Sequence, residues 1–219
     1  MTTDPDTTEP ARAAEYLVPA RTALVVFDLL ECYREAAERA GVIPTVRRLV
    51  QGCRDRGVPV AWARADHRAD GLDLARTLTD TDSRHRPWGP ANPRPSAPPY
   101  GSGSPMYAVL AELGQRAEDY DVPKHRWSAF HGTHLDTSLR SRGIESIVVV
   151  GGSTHVGVAA TVYAARDMDY QVVVVRDGLT GLEQQREFFA EHVFPRVCRV
   201  RTAEQVLAML DRSVQEEPA

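Results

Sequence analysis

"VVVGGSTHVGVAATVYAA", residues 148–165, is the stretch that decides the fold. Three valines run into two glycines, and small or β-branched residues follow. An unbroken apolar run bounded by glycine reads as a strand buried on both faces. The glycines read as a sharp turn that opens a helix. In an open α/β sheet, the turn after a strand's carboxyl end is where chemistry gathers. Two devices commonly occupy such a turn, a phosphate cradle and a nucleophile elbow. "GGSTHVG" lacks the Gly-Lys-Ser/Thr of a P-loop and follows a late strand, which argues against a nucleotide. An elbow needs a nucleophile at the helix start, and the residue there is Gly157.

The same alternation recurs on both sides of this stretch. "TALVVFD" (22–28), "VPVAWAR" (58–64), "DYDVPK" (119–124), "ESIVVVGG" (145–152), "YQVVVVRDG" (170–178) and "RVCRVRT" (196–202) read as strands. Helical patterns lie between them: "YREAAERAG" (33–41), "TVRRLVQGCRDRG" (45–57), "THLDTSLRSRG" (133–143), "EQQREFFAEHVF" (183–194) and "AEQVLAML" (203–210). "YAVLAEL" (107–113) reads as a further short helix. Thr133 is placed to cap its helix, and Gly143 to stop it. Alternating β and α with continuous Val/Ile runs implies an α/β fold: three layers, doubly wound and Rossmann-like, around a mostly parallel six-stranded sheet. One domain spans 20–213, with a disordered tail at 1–19 and a short one at 214–219. Most of the prolines fall within 66–105, a stretch too long to be an idle loop and read as a lid lining the site.

Composition narrows the function classes. The 219 residues are 42% hydrophobic and 26% charged, with a formal charge of −4, the profile of an ordinary globular protein. Mild acidity argues against a nucleic-acid binder, which would normally show a basic face. No apolar run approaches the ~20 residues of a membrane span. "MTTDPDTTEPARAAEY" at the start has neither a basic n-region nor an apolar h-region, so a cytoplasmic location is expected. Cys32, Cys53 and Cys198 are odd in number and widely spaced, which implies neither a disulfide framework nor a CxxC metal site. Cys53 and Cys198 read as buried structural thiols.

Catalytic residues of such a sheet belong at strand ends, where Asp28, Arg64 to His67, Lys124, Gly151 to Gly157 and Asp177 stand. Each has a plain alternative: an Asp as a structural acceptor, a Lys as a solvated charge. "HGTH" sets His131 and His134 three apart, but no third ligand is evident, so zinc is not expected. No cofactor is expected either.

In combination these residues resemble the isochorismatase-like hydrolases, the superfamily that includes nicotinamidases and N-carbamoylsarcosine amidases. The resemblance runs from about Arg21 to Leu210 and is carried by "ALVVFD", "VPKHRWSAFHGTHLDTSLRSRGIESIVVVGG" and "STHVGVAATVYAARDMDYQVVVVRDGLTG". It implies a catalytic Asp, Lys and Cys at Asp28, Lys124 and Gly157, with the thiol missing; a glycine is no nucleophile. The branch that hydrolyses isochorismate, a vinyl ether, also does without the Cys. Its "AHxG" is matched by His155 and Gly157, its "K-x-R-x-SAF" by Lys124, Arg126 and Ser128–Phe130, and its "WGP" by Trp88–Pro90.

What the resemblance implies is a general acid at Asp28, its pKa raised by burial, and a Lys124 that holds a carboxylate or orients water. Substrate contacts would come from Ser153, His155, Arg126, Trp127, Phe130, Trp88 and Arg64. His155 can equally be a polar group capped within its turn, and Arg126 a structural ion pair. A cis peptide is implied at Gly152–Ser153. A small-molecule substrate and a homo-oligomer, dimer or tetramer, are expected. The chain departs from isochorismatases at Leu30, where they carry Gln, at Ser153, where they carry Tyr, and after the second strand. There "DHRADGLD" looks more like the amidase-type relatives. Cys32, one turn beyond Asp28, reads as a packing residue rather than a displaced nucleophile. Two functional classes remain: a Cys-independent hydrolase, or a catalytically silent binding subunit. An amidase using activated water is a third reading.

Overall fold

The computed structural model describes residues 15–75 and 100–216. Most of the proposed tail and lid, and Trp88 with them, lie outside the described residues. Six strands form one sheet in the order β3-β2-β1-β4-β5-β6: β1 (Thr22–Phe27), β2 (Val60–Ala65), β3 (Tyr120–Lys124), β4 (Ser146–Gly151), β5 (Gln171–Leu179) and β6 (Arg199–Arg201). Every adjacent pair is parallel, so the sheet is wholly rather than mostly parallel. Strand order reverses between β1 and β4, where doubly wound sheets open a crevice at their carboxyl edge.

Alternation along β1 builds the two cores. Leu24 and Val26 point to one face, Ala23, Val25 and Phe27 to the other, and all are buried. The first face is covered by α2 (Ile43–Asp55) and α6 (Ala203–Glu216) through Val46, Leu49, Val50, Val206 and Leu210. On the second, α3 (Leu135–Arg140) and α4 (Ala159–Asp167) bring Leu135, Leu139, Val162 and Ala165. The remaining helices, α1 (Arg34–Arg39) and α5 (Glu183–Phe188), are short. Cys53 is wholly buried, and Cys198 partly so, as packing thiols should be.

Three local expectations are corrected. "YAVLAEL" is no helix: it lies across two 3₁₀ turns, Pro105–Tyr107 and Ala111–Leu113. The backbone between them is drawn out because Ala108 O accepts from Glu31 N (2.9 Å) and Leu110 N donates to Leu29 O (3.0 Å). Helix 133–143 begins later, at Leu135, although Thr133 Oγ1 still accepts from Leu135 N at 3.3 Å. Helix 183–194 breaks into α5, a wide π turn (Phe189–Val193) and a 3₁₀ turn (Phe194–Arg196), where Pro195 supplies no N–H to continue an α-helical ladder.

Candidate active site

Asp28 follows the last residue of β1 in a left-handed backbone conformation, φ +46°. That region is disfavoured for a residue with a Cβ and recurs where function demands it. The carboxylate lies across the ends of three adjacent strands. Ala65 N, at the end of β2, donates to Oδ1 at 2.7 Å, and Lys124 Nζ, at the end of β3, donates to Oδ2 at 2.6 Å. Register explains the meeting: Phe27 pairs with Ala63, and Ala65 with Lys124. The Lys124 side chain is only 5% exposed and that of Asp28 11%. Burial raises the Asp28 carboxyl above its ordinary 3.8, against the opposing pull of the ammonium, the Ala65 N–H and His67. Composition held a signal for this pair that strand-end logic did not use. Of 26 basic residues in the chain, Lys124 is the single lysine.

The turn after β4 is built by close approach. Gly151 has φ +107°, and a Cβ there would stand 1.9 Å from Phe27 O. Gly152 N donates to that same oxygen at 3.0 Å. The Gly152–Ser153 peptide is cis, as the resemblance implied. A single π turn, Thr154–Val158, then leads into α4, anchored by Thr154 Oγ1 donating to Thr180 O at 2.7 Å. Gly157 is buried inside this turn, and a Cβ on it would come within 2.3 Å of the Phe27 ring. Gly151→Ala combines a forbidden φ with a backbone clash and should cost more than about 3 kcal/mol. At roughly 2–4 °C per kcal/mol, a thermal melt should fall by about 6–12 °C; an unchanged melt would mean the turn has another geometry.

The other candidates separate into groups. Ser153 and His155 are half-buried in the turn, and His155 Nδ1 is buried without a hydrogen-bond partner, its ring edge-on to Phe189. Arg64 does not turn toward Asp28. Its guanidinium forks onto Asp121 at 2.6 and 2.8 Å, since side chains alternate along β2. Arg126 Nη1 donates to the carbonyls of Asp73 and His125 at 2.6 and 2.7 Å, which ties down the loop after β3. Trp127 is exposed, whereas Phe130 is buried against Tyr170 in the core rather than at the site. Asp177 lies within β5 and accepts from Ala203 N, a structural use. Both ring nitrogens of His134 are engaged, with Ser138 Oγ and Asp121 O.

Cys32 is half-buried, and its thiol is pushed up to about 11 by burial and the Asp28 charge. Beside Asp28, a cluster that sequence reading did not assemble joins His67, Asp73 and His125. His67 Nδ1 is 3.5 Å from Asp73 Oδ1, and His125 Nδ1 3.2 Å from Asp73 Oδ2. Among the described residues, this is the group whose ligating atoms are close enough to hold a metal ion. Burial lowers the His67 pKa. His67 and Asp73 lie in the loop after β2 and His125 in the loop after β3, which hides the cluster from spacing rules.

Comparison with known proteins agrees with this architecture. The isochorismatase domain matches residues 22–205. The isochorismatase family protein YwoC of Bacillus subtilis is 31% identical over 192 residues, 85% of this chain and 93% of its own length. Ureidoacrylate amidohydrolase RutB of Rhizobium rhizogenes is 28% identical over 84% of this chain and 82% of its own. Phenazine biosynthesis protein PhzD1 of Pseudomonas aeruginosa is 28% identical over 90% and 91%. An isochorismatase family protein from Burkholderia thailandensis superposes with a TM-score of 0.73 at 30% identity, covering 90% of this chain and 98% of that one. With the match reaching from the first residue of β1 into α6, this chain belongs to the isochorismatase family of hydrolases.

Proposed function

We propose that the protein hydrolyses a vinyl ether of a small carboxylated molecule, of the isochorismate kind, without a covalent intermediate. Asp28 is the general acid. Neutral Asp28 gives its proton to the terminal carbon of the vinyl ether, and the positive charge that forms is shared with the ether oxygen. Water adds to that centre and returns a proton to Asp28. The resulting hemiketal collapses to a ketone and an alcohol, so one water is consumed and the carboxyl is regenerated. The carrying observation is the buried carboxyl of Asp28 beside a turn that offers no nucleophilic side chain at Gly157. Acid catalysis needs a carboxyl whose pKa is lifted toward the working pH, and burial supplies that lift. Lys124 holds the substrate carboxylate or the attacking water.

Similarity to ureidoacrylate amidohydrolase favours a second reading, in which Asp28 activates water for attack on a C–N bond. One experiment separates the two. The protein is incubated in deuterium oxide with isochorismate, with simpler enol ethers and with ureido compounds, and the products are followed by mass. Carbon protonation places one deuterium in the methyl group of the released keto acid. Ammonia or carbamate release without carbon deuteration selects the second reading, and no turnover of any compound selects a silent binding subunit.

The thiols give a second check. Burial pushes Cys53 and Cys198 up to about 12 and Cys32 to about 11. A thiol raised this far is scarcely ionised near neutral pH, and the thiolate is the reactive form. Full alkylation with iodoacetamide should therefore be slow and leave turnover largely intact. Complete inactivation that tracks labelling of Cys32, and that substrate prevents, would restore a displaced nucleophile.

A further inference from the structure

One large side chain of the site has no part in the acid and water chemistry. Phe27 ends β1, one residue before Asp28, and is 1% exposed. A Cβ on Gly157 would stand 2.3 Å from its Cε1 and 2.5 Å from its Cζ, far inside the ~3.5–4.0 Å at which carbon atoms rest. On another side, Lys124 Nζ lies 4.2 Å from the ring centroid, within the ~6 Å at which a π face attracts an ammonium. One ring thus touches the nucleophile-free turn and the lysine together.

We infer that Phe27 is a positioning residue of this site: its ring takes the space a side chain at 157 would need, and its face seats Lys124 against Asp28. The inference rests on reading Asp28 and Lys124 as the reacting pair, and it adds a physical reason for the bare turn. A phenyl ring at 27 and a side chain at 157 exclude each other, so the two positions act as one unit. The ring belongs to a close-packed core with Val25, Val149, Val158 and Leu179, where a displaced ring finds no empty space to enter. Lys124, with Asp28 Oδ2 at 2.6 Å and the ring at 4.2 Å, is confined to a narrow cone. Such confinement fixes where its charge meets a substrate.

The single lysine makes the test specific. Protein grown with ¹³C-lysine shows one lysine side-chain spin system. In the wild type, the methylene protons next to Nζ should be displaced upfield by the ring beneath them, and Phe27→Leu should abolish that displacement. A thermal double-mutant cycle tests the exclusion. Gly157→Cys should lower the melting temperature by about 5–10 °C in the wild-type background and by less than half as much beside Phe27→Leu. Where Gly157→Cys does not accumulate, Gly157→Ala carries the same comparison in both backgrounds. Lysine signals unchanged by Phe27→Leu, or equal melting losses in the two backgrounds, would overturn the inference. None of these measurements uses a substrate, so failure of the hydrolysis reading would show separately, in the deuterium experiment.

Discussion

Asp28→Asn is expected to lower turnover by about 10²–10⁴-fold, the usual share of general acid catalysis. Asparagine keeps the shape of the side chain and can still accept from Ala65 N, but it has no proton to transfer to carbon. Substrate should still bind, so the loss belongs in kcat rather than KM. The pH profile carries the same signature. Turnover by the wild type falls as pH rises through the raised Asp28 pKa, because the acid form disappears. The variant should lack that limb. Stability follows the same titration: a folded pKa above the ordinary 3.8 gives stability that is full below 3.8 and lost as pH rises through the folded value. Undiminished turnover at saturating substrate would make Asp28 structural and assign the proton elsewhere.

Lys124→Met should show a different pattern. Methionine matches the length of the lysine stem and keeps contact with the Phe27 ring, with which a thioether packs well. What is lost is the ammonium 2.6 Å from Asp28 Oδ2. That charge opposes burial in setting the Asp28 pKa, so its removal should move the alkaline limb of the pH profile upward. The acid would then stay protonated over a wider range, yet kcat/KM should fall by roughly 10²–10³-fold, the scale for removing one positioned donor. Rate loss alongside a widened acid range would separate the ammonium's contact with substrate from its influence on Asp28. A profile whose limb does not move would break the coupling drawn here between the two groups.

Much of the fold was legible because its central strands β1, β4 and β5 are written as apolar runs ending in glycine or a charged residue. Asp28 and Lys124 could be picked as strand-end residues, and their meeting followed once β2 was placed between their strands. Contacts set by tertiary packing were less accessible. Arg64 looked free to reach a substrate, but its partner Asp121 lies one strand over, at a register that no local pattern reveals. Phe130 sits in a segment matched to the family's site, yet its ring turns into the core against Tyr170. The contact of Phe27 with Gly157 depends on a side-chain direction, and the His67–Asp73–His125 cluster on how two loops fold back. The segment 107–113 has a helical composition, but hydrogen bonding to residues 29–31 drew it straight.

The order of strands in the sheet also has a cost in time. β1 is synthesised early and ends beside Asp28, but its neighbour β4 pairs Thr22 with Ser146, about 120 residues further along the chain. At ~5–20 residues per second, the ribosome needs roughly 6–25 s to deliver β4 after β1 has emerged. During that interval β1, apolar and buried from Ala23 to Phe27 in the finished sheet, has β2 on one side and nothing on the other. Unpaired edges of this kind template aggregation. Slowing translation between codons 28 and 145 should therefore lower the soluble yield, and co-expressed chaperones that shield nascent apolar segments should recover it.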